Sequence, residues 1–309
     1  MTADTSARNP DLPFPAMLTE RVFLMAAWAF LALGSAAPAQ LSPAQAARQW
    51  EDARAFTALP ALEDDQAAQN FQNAFIERLS GQLGRPVGYK AALTEARAQQ
   101  RFGVSQPILG VLLERMLLED AAGLPLDYAA RPVAEADLLV RVSDPNINAA
   151  TTDLELLAGL DVAFPFIELA DLLLAPGTTG DVRALTALNV GARAGIRGAA
   201  IPLAADQATL DRLASFSVRL VDQDGQVLGE GRGEALLGHP IHVVRWIRDT
   251  LKARGDELRM GELLSLGALT APLPLVKPVR LTARYEGLQD GAAASVSCTL
   301  LEPGPGTGN

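Results

Sequence analysis

The chain has 309 residues, of which 36 are acidic, 26 are basic and 49% are hydrophobic, and its formal charge is −10. The apolar content can fill a sizeable core, which excludes a disordered acidic tail, and the length predicts one large domain with at most a small appendage. The negative charge argues against nucleic acid or anionic lipid as the main partner. One cysteine, Cys298, and two histidines, His239 and His242, exclude an internal disulfide, a multi-cysteine metal site and a histidine-rich zinc site.

Near the N-terminus, residues 22–34 form an uncharged apolar run that is too short for an ordinary transmembrane helix. The run precedes Ala37-Pro38-Ala39, a pattern typical of a signal cleavage site, so we expect residues 1–39 to be a secretory leader and the protein to be periplasmic. Residues 1–21 carry a net charge of −1 where a positive segment is usual, so either Met17 is the true start or the upstream part is a long leader. The alternative is an uncleaved anchor or a buried helix, and a chain without a signal would be cytoplasmic.

After the leader, apolar spacing predicts helices first and strands later. Predicted helices cover residues 43–56, 63–83, 94–102 and 240–254. A further short helix is predicted from the capping pattern of Thr152 and Glu155. Predicted strands cover residues 85–93, 132–142 and 162–169, a hairpin of 216–221 with 226–230, and the stretch 281–301. Gly229, Gly231 and Gly233 indicate a bulge or turn, and Cys298 is predicted to be a core residue. Since helices and strands do not alternate regularly, we expect an α+β domain over residues 40–302, followed by a flexible tail, 303–309.

The most informative feature is the placement of carboxylates. Glu135 and Asp137 are two apart on a predicted strand, so both leave the same face, and Glu168 interrupts an otherwise apolar strand. Burying three carboxylates is costly without a cation, and a hard ion such as Mg²⁺ or Mn²⁺ suits an all-oxygen set. The alternative from spacing alone is a solvated strand face and a strand-end glutamate.

Several short motifs also occur in a fixed order. They are Gly88-Tyr89-Lys90-x-x-Leu93-Thr94, Gly103-Val104-Ser105-Gln106-Pro107-x-x-Gly110, Pro132-x-x-Glu135-x-Asp137, Ile167-Glu168, Leu237-Gly238-His239-Pro240, Gly267-Ala268-Leu269-Thr270 and Val276-Lys277-Pro278. In this ordered set the chain resembles a divergent member of the 2-keto-4-pentenoate hydratase family, within the fumarylacetoacetate hydrolase superfamily. The resemblance covers roughly residues 60–300.

The resemblance implies a fold and a set of site residues. The fold is a rolled mixed β-sheet with flanking helices, like the C-terminal domain of fumarylacetoacetate hydrolase. Glu135, Asp137 and Glu168 are implied to hold Mg²⁺ or Mn²⁺. Lys90 is implied to be an active-site lysine, as proton donor or carboxylate anchor; its alternative is an exposed strand-end lysine. The residues implied to bind substrate are Thr270, Asn189 and Gln106.

The implied activity is that of a lyase of aromatic catabolism, acting on an unsaturated 2-oxo acid through a metal-stabilised enolate. A hydratase-like hydro-lyase is the first expectation; a 4-oxalocrotonate decarboxylase-like carboxy-lyase and a catalytically silent 2-oxo acid and metal binder stay open. Ile108 and Leu188 stand where hydratases commonly carry acids, and Val133 stands where an arginine is frequent. The resemblance is therefore closer for the metal-binding residues than for the residues that transfer protons. The expected partners are a small 2-oxo acid and further copies of the chain, with no stable membrane span after processing.

Overall fold

The computed structural model describes residues 40–291 and 293–304. The predicted leader, residues 1–39, and most of the predicted tail lie outside the described residues. The described residues belong to one compact unit that begins at Gln40.

Seven α-helices and fourteen strands lie within the described part of the chain. The helices are α1 (Pro43–Glu51), α2 (Asp65–Leu83), α3 (Ala96–Phe102), α4 (Asp153–Ala158), α5 (Val182–Ala187), α6 (Gln207–Ser215) and α7 (Pro240–Ala253). The strands are β1 (Pro86–Ala92), β2 (Ile108–Leu113), β3 (Leu117–Glu119), β4 (Gly123–Pro125), β5 (Pro132–Val142), β6 (Leu160–Asp171), β7 (Ala194–Arg197), β8 (Ile201–Pro202), β9 (Ser217–Val221), β10 (Val227–Arg232), β11 (Leu263–Ser265), β12 (Leu273–Pro274), β13 (Val279–Glu286) and β14 (Ala294–Leu301). None of these helices combines the length and the apolar character that a bilayer crossing requires.

The helix-end signals of the sequence are confirmed. Helix α3 ends at Gly103, which adopts the left-handed conformation that glycine favours, and α4 has the predicted capping box of Thr152 and Glu155. The His239 side chain accepts a hydrogen bond from the backbone N–H of Ile241 and so caps the start of α7. The first helix was predicted too long, because α1 ends at Glu51 and the chain then turns to bury Phe56.

The strands form two mixed sheets. The central sheet has the order β2-β1-β11-β5-β6-β7-β3, with β12 beside β5 and β8 beside β6; β1 pairs with β11, and β3 with β7, in parallel, and the other pairs are antiparallel. The second sheet has the order β10-β9-β13-β14-β4. The predicted hairpin of β9 and β10 is confirmed, with a register irregularity between Val227 and Gly229. The α+β class and the mixed sheet with flanking helices are confirmed.

The two long strands β5 and β6 are buried on both sides. Their apolar side, with Ala136 and Leu138 of β5 and Ile167 of β6, packs in one core with the second sheet and helices α4, α6 and α7. The opposite side holds a smaller apolar cluster that includes Leu139 and Phe166. Neighbouring parts of the chain cover the acidic face too, so Asp137 and Glu168 lie inside the protein.

Tyr285 of β13 inserts its hydroxyl between β5 and β6. The hydroxyl donates to the carbonyl oxygen of Asp137 (2.5 Å), lies 2.9 Å from the carbonyl oxygen of Phe166 and accepts from the N–H of Phe166 (3.2 Å). This side chain is fully buried. The Tyr285 hydroxyl thus bridges the two backbones at the position where Asp137 pairs with Phe166.

Replacing Tyr285 with phenylalanine tests this insertion. The change leaves two buried backbone groups without their partner, so we expect the free energy of unfolding in urea to fall by about 1–3 kcal/mol. Tyr128→Phe is the matched control, because no described residue hydrogen-bonds the buried Tyr128 hydroxyl. A Tyr285→Phe protein as stable as the Tyr128→Phe protein would contradict the role given to this hydroxyl.

Candidate functional site

The three predicted carboxylates lie on the same side of the β5–β6 pair. Glu135 stands directly opposite Glu168 in the strand register, and Asp137 stands opposite Phe166. Asp137 is 0% exposed, Glu168 is 4% exposed and Glu135 is partly buried. The alternative of a solvated acidic face is therefore wrong for this strand.

Lys90 lies against these carboxylates. Strand β1 places it beside Ser265 of β11, and its ammonium group donates to Glu168 Oε1 and to the carbonyl oxygen of Val190 (3.3 Å). Lys90 is 3% exposed, so it is not the exposed strand-end lysine of the alternative interpretation. Gly110 of β2 faces it, and a Cβ there would lie 2.9 Å from Lys90 Cγ. The absence of a side chain at Gly110 thus lets the lysine reach Glu168.

The Val190 carbonyl is held by an unusual turn. Asn189, Val190 and Gly191 have φ values of 55°, 56° and 69°, and the left-handed conformation is strained for a β-branched residue such as valine. The Asn189 amide accepts from the N–H of Val111 (2.7 Å) and donates to the Val111 carbonyl (2.9 Å). Buried Gln72 donates to the Asn189 Oδ1 atom (3.3 Å). In this conformation Asn189 is engaged with protein groups, and its predicted contact with substrate stays a prediction.

The Asp137 carboxylate is held by hydrogen bonds of its own. The Ser265 hydroxyl donates to Oδ2, and the N–H of Leu138 donates to Oδ1 (2.5 Å). Ser265 is fully buried and, with Glu168, borders a cavity of ≈ 10 Å³. That volume is about the minimum that holds one water molecule.

Burial and mutual repulsion shift the acidity of the carboxylates. The pKa of Glu135 is raised to about 8, because burial disfavours its charge and Glu168 repels it, while Lys90 partly offsets both effects. The pKa of Asp137 is also raised, by burial first and by Glu168 second, against the hydrogen bond from Ser265. Neither carboxyl group has enough positive charge nearby to offset the cost of ionising it inside the protein.

This donor set fits a hard divalent cation in chemistry and charge. Three ionised carboxylates and one ammonium group leave two net negative charges, and oxygen ligands are those that Mg²⁺ and Mn²⁺ prefer. The fit is incomplete in geometry, because among the described residues no three Asp, Glu, His or Cys side chains are grouped closely enough to share one ion. Glu135 and Glu168 face each other, whereas Asp137 is turned toward Ser265 and Leu138.

The remaining predicted site residues lie in two places. Thr270 is buried, and its hydroxyl accepts from the N–H of Ala136 (3.0 Å), between the two acidic residues of β5. Gln106 is exposed, accepts from Trp246 Nε1 (3.2 Å) and lines a groove of ≈ 690 Å³ between α2, α5, α7 and residues 103–109. Ile108 also lines this groove. It lies two residues before Gly110, which pairs with Lys90, so Ile108 and Lys90 are on the same face of the sheet.

Sequence reasoning missed Ser265, Gln72 and Tyr285. Ser265 is the one polar residue in the run Leu263-Leu264-Ser265-Leu266. This pattern could have indicated a buried hydroxyl that hydrogen-bonds another buried group. Gln72 shares a helix face with Phe75, a spacing that places an amide toward the core. Nothing in the sequence around Tyr285 indicates that its hydroxyl enters the β5–β6 pair.

The raised pKa of Glu135 predicts how the metal-free protein responds to pH. A carboxyl group whose pKa rises from 4.5 to about 8 on folding contributes stability below pH 4.5 and loses it as pH rises toward 8. With a chelator present, we expect the melting temperature to fall over this window in the native protein and to fall less in Glu135→Gln. Exposed Glu77→Gln is the control, and an equal slope for all three proteins would contradict the prediction.

Comparisons with known proteins agree with this fold. The chain is 30% identical over 207 residues to a 2-keto-4-pentenoate hydratase of Paraburkholderia phymatum, covering 66% of this chain and 76% of the relative. It is 27% identical over 236 residues to a 4-oxalocrotonate decarboxylase of Pseudomonas sp. strain CF600, covering 74% and 87%. No protein-family model matches.

A solved structure shows the same fold. The 4-oxalocrotonate decarboxylase of Pseudomonas putida G7, complexed with magnesium and adipate, superposes with a TM-score of 0.71 at 22% identity, over 84% of this chain and 95% of that one. A second structure of that enzyme, with calcium and acetate, gives a TM-score of 0.65 at 24% identity, over 77% and 86%.

Proposed function

The chain belongs to the 2-keto-4-pentenoate hydratase family, and from this premise we propose that it is a metal-dependent lyase of an unsaturated 2-oxo acid. The hydro-lyase reaction, addition of water to the alkene of 2-keto-4-pentenoate, is the main proposal. The observation that carries it is the buried group of Glu135, Glu168, Asp137 and Lys90, whose negative charge matches a divalent ion.

The cation has one role in the proposed reaction. Mg²⁺ or Mn²⁺ would be held by carboxylates of this group and would supply Lewis-acid stabilisation of negative charge on the 2-oxo oxygen. Magnesium in the related decarboxylase structure supports this choice of ion. The oxygen ligands stay ionised when the ion is present, which its positive charge favours.

Lys90 is proposed to carry the proton. Its ammonium group is buried and held by Glu168 and the Val190 carbonyl, so it lies at a fixed place beside the carboxylates. The Thr270 hydroxyl accepts a hydrogen bond from the N–H of Ala136, so its own hydrogen can be donated to a substrate carboxylate. Gln106 and Asn189 are proposed to contact the substrate where the groove of residues 103–109 approaches β2.

A carboxy-lyase reaction is the second candidate, and Ile108 favours it. This apolar side chain lies on the Lys90 face of the sheet, at a position where the resemblance to hydratases implies an acid that could transfer a proton. Loss of carbon dioxide needs a place for the electrons and one proton donor, and it does not need an activated water. The decarboxylase relatives fit this reaction equally well.

The test follows both reactions with purified protein and Mg²⁺. Loss of ultraviolet absorbance of 2-hydroxypenta-2,4-dienoate reports hydration, and carbon dioxide release from 4-oxalocrotonate reports decarboxylation. We expect turnover of one substrate, its loss with a chelator, and a fall in kcat of about 100-fold or more in Lys90→Met. Ile108→Asp is expected to raise hydration relative to decarboxylation.

Two control variants separate the roles of Lys90. Exposed Lys252→Met removes the same charge from the surface of α7 and should leave turnover unchanged. Lys90→Arg keeps the charge but transfers protons poorly, so a normal KM with a low kcat supports the proton role, and near-normal kcat supports a carboxylate anchor. Absence of both reactions, with stabilisation of the fold by oxalate and Mg²⁺, would instead support the silent binder.

We also propose that the protein is exported. The apolar run 22–34 and the small residues Ala37 and Ala39 support a signal that is cleaved before Gln40. Expressed from its full sequence in a Gram-negative host, the protein should appear in the periplasm with Gln40 as its first residue by N-terminal sequencing. Deletion of residues 22–34 should keep it in the cytoplasm; a full-length cytoplasmic product of the intact sequence would contradict export.

A further inference from the structure

We propose that Gly229 and Gly231 of β10 are positioning residues for Thr270. Because neither glycine has a side chain, residues 269–270 lie close enough to β10 for the Thr270 hydroxyl to stay on the N–H of Ala136. The inference rests on the proposed function, because that function gives the Thr270 hydroxyl a substrate carboxylate to bind. It also gives a role to the glycine repeat of β10, which the proposed reaction does not otherwise use.

Leu269 and Thr270 together bind both backbone groups of Ala136. The N–H of Leu269 donates to the Ala136 carbonyl oxygen (2.8 Å), and the Thr270 hydroxyl accepts from the Ala136 N–H (3.0 Å). Ala136 lies between Glu135 and Asp137 on β5. A small displacement of residues 269–270 would therefore take the hydroxyl away from the N–H that holds it beside the carboxylates.

Strand β10 lies directly against this pair of residues. Gly229 and Gly231 are two apart, so both present the same side of the strand. A Cβ atom on Gly231 would overlap the carbonyl oxygen of Leu269, a backbone atom that cannot rotate aside as a side chain can. A Cβ atom on Gly229 would lie 3.1 Å from Thr270 Cβ and 3.3 Å from Thr270 Cγ2. Neither glycine has a positive φ, so glycine is required here for space and not for conformation.

Gly229 is the better residue for an experiment, because its contact is with a side chain. At 3.1 Å the neighbour has to shift by a few tenths of an ångström, which moves Thr270 without breaking the strand. Gly123 of β4 is the matched control, at the opposite edge of the same sheet. A Cβ atom there would lie 3.4 Å from Leu301 Cδ1, an ordinary van der Waals contact.

The experiment compares Gly229→Ala, Thr270→Ser and the double variant in the full chain. Thr270→Ser keeps the hydroxyl and removes the methyl group that the new Cβ atom meets. We expect Gly229→Ala to raise KM for the 2-oxo acid that the native protein turns over by about 10-fold or more with kcat little changed, since a displaced hydroxyl loses a hydrogen bond to a charged group. In the double variant, KM should return toward the value of Thr270→Ser.

Hydrogen exchange measured by NMR follows the same displacement without turnover. In Gly229→Ala the N–H of Ala136 should exchange about 10-fold faster or more, relative to the other amides of β5, because it loses its acceptor. The double variant should restore this protection. Gly123→Ala should keep both the native KM and the native exchange rate.

The inference is overturned if Gly229→Ala keeps the native KM, if the double variant is no better than Gly229→Ala, or if all amides of β5 exchange faster to the same extent. If Gly229→Ala does not fold, a folded double variant with the KM of Thr270→Ser supports the inference, and an unfolded one overturns it. Native protein that turns over neither substrate overturns the proposed function, and the exchange of Ala136 then still decides whether Gly229 positions Thr270. Turnover by the native protein, with native KM and native Ala136 exchange in Gly229→Ala, overturns this inference alone.

Discussion

Burial of carboxylates without matching positive charge is the constraint on which the site depends. Asp137 and Glu168 lie inside the protein with Glu135 beside them, and among the described residues only the Lys90 ammonium balances them at short range. Desolvation makes an ionised carboxylate costly, and the raised pKa values of Glu135 and Asp137 express that cost. A bound cation would remove it, so binding of an ion would also stabilise the fold.

The fold supplies the rigidity that such a site needs. Strands β5 and β6 are covered on both sides, by the second sheet and by the apolar cluster of Leu139 and Phe166, so the side chains they carry have little freedom. Tyr285 ties both backbones together at Asp137. Lys90 is held by strand β1, by Glu168 and by the strained turn at Val190, so its ammonium group has little freedom.

The sequence was sufficient to predict local features of the fold, but it was insufficient to predict which strands pair. The period of two along β5 correctly placed Glu135 and Asp137 on one side, and glycine and capping signals located the helix ends. The contact of Lys90 with Glu168, 78 residues apart, depends on which strands pair and in what register, and spacing does not encode this. The same holds for Ser265, and for the Val190 carbonyl, which is a backbone group that no side-chain pattern can indicate.

The Asn189 amide has a further consequence for the outermost strand of the central sheet. By pairing with both backbone groups of Val111, it occupies hydrogen-bonding positions on β2 that a strand from another molecule would otherwise use. Exposed strand edges promote aggregation, and proteins protect them in various ways. Here the Asn189 side chain fills two of these positions while it supports the turn that holds Lys90.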